Sequence, residues 1–178
     1  RGGGPVGQAS LSSAGGSWSI TSSTLSDGPQ SIRARAKDLA GNESVDSAPL
    51  IVIIDTVAPA APSTPDLAAA SDSGASSTDN ITNDNTPTFD GTQGADATAL
   101  TVILEGSVLG QASLTPAGGA WTITSSVLTD GVHLISAKAK DLAGNESASS
   151  SALSVTIDTI APPVPSTPDL AAASDSGA

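Results

Sequence analysis

Apolar side chains along this chain recur at every second position, and no segment shows the three-and-four spacing of an amphipathic helix. Leu100, Val102 and Leu104 are separated by Thr101 and Ile103, while Ile135, Ala137 and Ala139 alternate with Ser136, Lys138 and Lys140. Leu153, Val155 and Ile157 alternate with Ser154 and Thr156. Successive side chains of a strand point to opposite faces, so each run predicts a strand with one buried side. Shorter strands are expected at 66–70, around 86–90 with Phe89 inward, at 109–114, and around Trp121 and Ile123, also inward. Turn residues stand between them, at 105–107, Gly118-Gly119 and Asp130-Gly131. About seven short strands without a helical period predict an all-β antiparallel sandwich.

Two stretches fall outside the alternation. SDSGASSTDNITNDN, residues 71–85, reads as a polar loop. APAAPSTPD, with Pro59, Pro62 and Pro65, reads as an extended, semi-rigid connector between domains. Its spacing also fits the PxxP ligands of SH3-type grooves, but no basic residue accompanies it.

The pattern occurs twice. LSDGPQSIRARAKDLAGNESVDSAPLIVIID at 25–55 returns as LTDGVHLISAKAKDLAGNESASSSALSVTID at 128–158, and Trp18 returns as Trp121, 103 positions later. PSTPDLAAASDSGA also occurs twice. Residues 1–75 thus align with 104–178 without a gap, the mark of a tandem array. A repeat of about 100 residues can bury its own core. The expected division is 1–57, the back part of one repeat, 58–160, a complete repeat, and 161–178, the front part of the next. The copies differ in the last strand, where Ile51 and Ile53 replace Ser154 and Thr156 and make PLIVIID apolar on both faces. Such a strand calls for a neighbour on its outer side, which could be another chain.

Composition narrows the chemistry. Acidic residues number 18 against 6 basic ones, a net charge of −12, and 15 of the acids are Asp. That balance argues against nucleic acid as a partner, because phosphate neutralisation needs clustered Lys and Arg. Asp is a turn residue and a hard oxygen ligand for cations. Cysteine is absent, which removes disulfides and thiolate metal sites. No apolar run reaches the length of a membrane span, and no signal-peptide pattern opens the chain, so any export signal or anchor is expected outside this sequence. An enzyme is not expected. His133 is the only histidine, its counterpart is Gln30, and its place in the alternation makes it a partly buried structural residue. Arg33, Arg35 and Lys37, like Lys138 and Lys140, form an outward stripe read as solvated charge on a strand. RGGGP at the start reads as a loop.

The combination of Trp121 with ITSS, Asp130-Gly131, KDLAGNES, IDT, PSTPDL and SDSG followed by TDNIT and TPTF resembles the bacterial immunoglobulin-like repeats of giant surface adhesins and biofilm-associated proteins. The resemblance covers the chain except residues 1–6. It implies tandem Ig-like sandwiches of about seven strands, an extracellular or bacterial cell-surface location, neighbouring repeats as partners, and calcium at the joints between domains.

Ig-like topology brings the acidic loops to the two ends of the sandwich. Asp55, Asp141 and Asn145 converge at one end, and Asp72, Asp79, Asn80 and Asp158 at the other. Two readings are open: these oxygens hold calcium, which takes six to eight ligands, or they only satisfy the backbone of their own turns. For function, a structural stalk stands against a self-assembling extracellular filament held by lateral contacts. A carbohydrate-binding module is a third alternative, weakened because both Trp residues are expected inside, whereas sugar platforms use exposed rings.

Overall fold

The structure is a computed structural model of the chain and describes residues 7, 9–11, 16–114 and 119–169. The RGGGP loop, Gly118 of the glycine turn and the repeated segment beyond residue 169 lie outside the described residues. The chain forms two compact units, Arg1–Ala58 with Asp141–Asn145, and Pro59–Lys140 with Glu146–Ala178. No helix occurs among the described residues.

The first unit contains two separate ribbons. Strand β1 (Ser10–Leu11) pairs with β2 (Trp18–Ser19), and β3 (Gly28–Ile32) pairs with β4 (Leu50–Ile54).

The second unit is a two-sheet sandwich. Its strands are β5 (Asp66–Leu67), β6 (Ile81–Thr82), β7 (Thr88–Thr92), β8 (Ala99–Leu104), β9 (Ser107–Gln111), β10 (Ser113–Leu114), β11 (Ala120–Thr124), β12 (Gly131–Lys140) and β13 (Leu153–Ile157). One sheet has the order β10-β11-β7-β5 and the other β6-β13-β12-β8-β9. All pairs are antiparallel except β6 with β13. The expected inward rows fill the space between the sheets: Leu100 and Val102, Ile135 and Ala137, Val155 and Ile157, with Phe89, Leu67 and Trp121 from the opposite sheet. Trp121 lies on the backbone of its cross-strand partner Gly91, where an added Cβ would stand 2.7 Å from the indole Cζ2. The glycine lets the ring cross the strand.

Several expectations are corrected by long-range partners. The first strand divides in two. Residues 66–67 join β7, then a second short strand, β6, arises at Ile81–Thr82 inside the supposed polar loop and runs alongside β13. The proline segment is not a free connector, since Pro62 and Pro65 are buried and Ser63 N–H donates to the Thr92 carbonyl at 3.0 Å. Proline cannot extend a ladder on both sides, but it can line the edge of β7. The expected strand 109–114 breaks at Ala112, which passes the chain from one sheet to the other. Trp18 is 52% exposed where Trp121 is buried; among the described residues β2 pairs only with β1, and no strand lies beside Trp18 as β7 with Gly91 lies beside Trp121.

The copies also show what makes a strand. Residues 131–140 form one ten-residue strand, while their counterparts stop at Ile32 after five. The lost half, RARAK, corresponds to the half of β12 that pairs with β8, and among the described residues no strand stands beside RARAK. The basic stripe expected there on a strand is therefore outside one. Arg35 instead bonds Glu43 and Asp46, each at 2.9 Å.

Candidate functional site

The DLAGN loops have the same construction in both copies. Asp141 Oδ1 accepts from the N–H groups of Gly144 and Asn145 at 2.7 and 2.8 Å, and Oδ2 accepts from Asn145 Nδ2 at 2.8 Å. Asp38 accepts from the backbone and side-chain nitrogens of Asn42 at 2.8 Å each. Gly41 and Gly144 adopt positive φ, 93° and 99°, which closes the loop. These bonds favour the ionised carboxyls and hold both below the ordinary aspartate range, the side-chain amides of Asn42 and Asn145 contributing most.

Within the first unit, Asn145 Nδ2 also donates to the Asp55 carbonyl at 3.0 Å, so Asp55, Asp141 and Asn145 are brought together. The Asp55 carboxylate accepts the N–H of Val57 two residues on, and Asp158 does the same for Ile160. In the other expected cluster, Asp79 accepts from Ile81 N–H at 3.2 Å, and Asp72 Oδ2 accepts from Asn80 N–H at 3.3 Å. Asn80 has φ of 60°, and its carbonyl accepts Thr156 N–H beside the end of β13. Asp72 is buried at 5% exposure, and among the described residues its Oδ1 has no hydrogen-bond partner. Among the described residues, no three His, Cys, Asp or Glu side chains gather at metal-holding distances.

Other polar residues turn out to be ties that sequence reading passed over. Ser147 Oγ accepts Ala139 N–H at 2.9 Å while Ser147 N–H donates to Ala139 O, and Ser150 treats Ala137 in the same way. Each serine thus stands in for a strand residue beside β12 before β13 begins. Ser44 and Ser47 repeat the arrangement with Ala36 and Ala34. The signal was present as the spacing NESxxS in both copies. Asp130 accepts from Thr159, and Asp27 from Thr56, so the Asp of each Asp-Gly turn ties down the exit of the last strand.

His133 is a structural residue. Its Nε2 meets the Thr129 carbonyl at 2.8 Å and its Nδ1 meets Glu105 Oε1 at 3.2 Å. Gln30 donates from Nε2 to the Ser26 carbonyl at 2.9 Å. Ser26 is the counterpart of Thr129, so the amide and the imidazole fasten the same turn.

The bacterial Ig-like domain description matches residues 1–56 and again 58–159. No curated protein matches the chain. Among solved structures, the fibronectin(III)-like modules of Clostridium thermocellum CbhA are similar at 17% identity and a TM-score of 0.43. The likeness covers 78% of this chain, which spans 65% of the length of that one. With nearly all of its length matched in two successive stretches, the chain belongs to the bacterial Ig-like domain family.

Proposed function

We propose that the chain is a length of spacer in a bacterial surface adhesin or biofilm matrix protein: tandem Ig-like domains, outside the cell, without catalysis, whose task is reach and stiffness. The observation that carries this reading is the repetition of structural ties. Asp27 and Asp130, Asp38 and Asp141, Asp55 and Asp158, Ser44 and Ser147 each do in one copy what they do in the other. An array built for length needs its units alike.

Calcium is proposed to stiffen the joints. Asp72 supports this most directly, since a buried carboxylate oxygen without a donor suits a hard cation, and Asp79, Asn80 and Asp158 are the further oxygen donors. At the other end Asp55, Asp141 and Asn145 are drawn together, with Asp141 oxygens retaining lone pairs beyond those given to Asn145 and Gly144. Binding would replace repulsion among carboxylates with shared coordination and stabilise the stiff state by an amount that grows with the logarithm of calcium concentration over its dissociation constant. Small-angle scattering of the chain should give a longer maximum dimension in millimolar calcium than in chelator, with little change in the far-ultraviolet spectrum. Asp141→Ala or Asp72→Ala should remove the lengthening. Equal dimensions in both buffers would mean that packing alone holds the joints.

A further inference from the structure

The two outer faces of the second unit carry opposite charges, and among the described residues Asp66, Asp90 and Lys138 have no ion-pair partner. On the four-stranded sheet, Asp66 and Asp90 stand directly opposite one another across β5 and β7, on the side away from buried Leu67 and Phe89. Like charges so placed repel. Neither carboxylate meets a cation among the described residues. Asp90 opens onto a shallow groove with Thr92, Ser113 and Thr122.

The opposite face has the converse. Lys138 is half-buried in a groove with Thr101, Ile103, Val108, Gln111 and Glu146, and it makes no ion pair within 4.0 Å among the described residues. Its counterpart Arg35 holds Glu43 and Asp46, but the second copy has Ser149 in place of Asp46. The neighbouring Lys140 keeps Glu146 at 3.5 Å. Beside Lys138, Val108, Val132 and Leu134 leave apolar surface exposed on the same face.

We propose that these faces are the two halves of an interface between copies of this chain, in which Lys138 of one sandwich enters the Asp66 and Asp90 groove of another. The apolar strip would lie against the neighbour's threonine-rich sheet, where Thr88, Thr122 and Thr124 face outward. A second copy is the occupant because the chain itself carries the missing partner of each charge. The two halves lie on opposite sides of one sandwich, so the contact is heterologous and open, adding chains side by side without closing a pair. The net charge of −12 opposes association. At about 0.15 M salt, however, charges more than about 8 Å apart are largely screened, which leaves contact pairing as the stronger influence. The inference goes beyond the spacer reading, for it gives the array lateral cohesion.

Sedimentation equilibrium of the full chain at about 0.15 M salt tests it. The wild type should associate reversibly with rising concentration. Lys138→Glu alone and Asp90→Lys alone should each weaken association roughly tenfold or more, because like charges then face each other. An equimolar mixture of the two variants should associate again, since Lys138 of one meets the intact acid pair of the other. Lys138→Gln and Asp90→Asn should weaken association in the same direction, and an unchanged melting curve for each variant shows that the sandwich remains folded. The proposal is overturned if the wild type stays monomeric to millimolar concentration, if either charge reversal associates as the wild type does, or if the mixture stays monomeric.

Discussion

Trp121 and Gly91 are energetically one unit, and a double-mutant cycle should reveal it. Trp121 is 1% exposed and is the largest fully buried side chain. Trp121→Ala removes that volume from the middle of a small core and should cost about 3–5 kcal/mol. Gly91→Ala acts in the opposite way, because its Cβ would meet Cζ2 and Cε2 of the indole at 2.7 and 2.8 Å and Ser63 Oγ at 2.8 Å. The ring is buried in the core, so this one methyl should cost about 1–3 kcal/mol by overpacking. In the double variant the clash with the indole is gone, only Ser63 Oγ remaining close, and the new methyl occupies part of the cavity. The combined loss should therefore fall short of the sum of the single losses by about 1 kcal/mol or more. Urea unfolding followed by far-ultraviolet circular dichroism measures all four proteins, since indole fluorescence is lost with the residue. Two further variants sharpen the test. Trp121→Phe should cost less than the alanine change, because it keeps most of the buried ring and removes an indole N–H that has no acceptor among the described residues. Trp18→Ala, at an exposed ring, should cost less than about 1 kcal/mol. Additivity of Gly91→Ala and Trp121→Ala within about 0.5 kcal/mol would refute the account of the ring lying on the glycine.

Ser147→Ala should cost about 1–3 kcal/mol, since it leaves the N–H of buried Ala139 unpaired, and amide exchange at residue 139 should quicken; an unchanged exchange rate would mean that water replaces the hydroxyl. The Asp141 carboxyl has a lowered folded pKa, so its contribution is present above the ordinary aspartate range and is lost as the pH falls through the folded value. The stability gap between wild type and Asp141→Asn should accordingly narrow on acidification, and a gap independent of pH would show that the charge does not hold the loop.

How much was legible in the sequence depended on how local each cause was. The inward rows of β8, β12 and β13 followed from period-two alternation, because in a half-buried strand the periodicity reports the buried side directly. The self-bonded DLAGN loop was legible in kind, since Asp, Gly and Asn satisfy their neighbours. Ile81–Thr82 and Ser63 were not, because nothing within the segments 71–85 or 59–65 says that β13 or β7 runs beside them. RARAK and SAKAK share one alternation and differ in outcome, which shows that the pattern permits a strand and a neighbour completes it. Trp18 and Trp121 make the same point for burial. The placement of Asp72 was approached from topology, but the burial of its Oδ1, and the Asn80 N–H that reaches only its Oδ2, depend on how the loop folds.

The parallel pairing of β6 with β13 has a mechanical consequence. In the proposed spacer, tension applied at the two ends would enter the second unit ahead of β6, past Ser63 and β5, and leave after β13. The strands run in the same direction, so the pull drags them past each other along their length. The bonds from Thr156 N to Asn80 O and from Asp158 N to Thr82 O, each 2.9 Å, lie across that line of force and must break together in shear instead of unzipping one at a time. Two residues placed in the midst of a polar loop thereby act as a clamp, and a repeat with so small a core can resist rupture by the direction in which it is pulled.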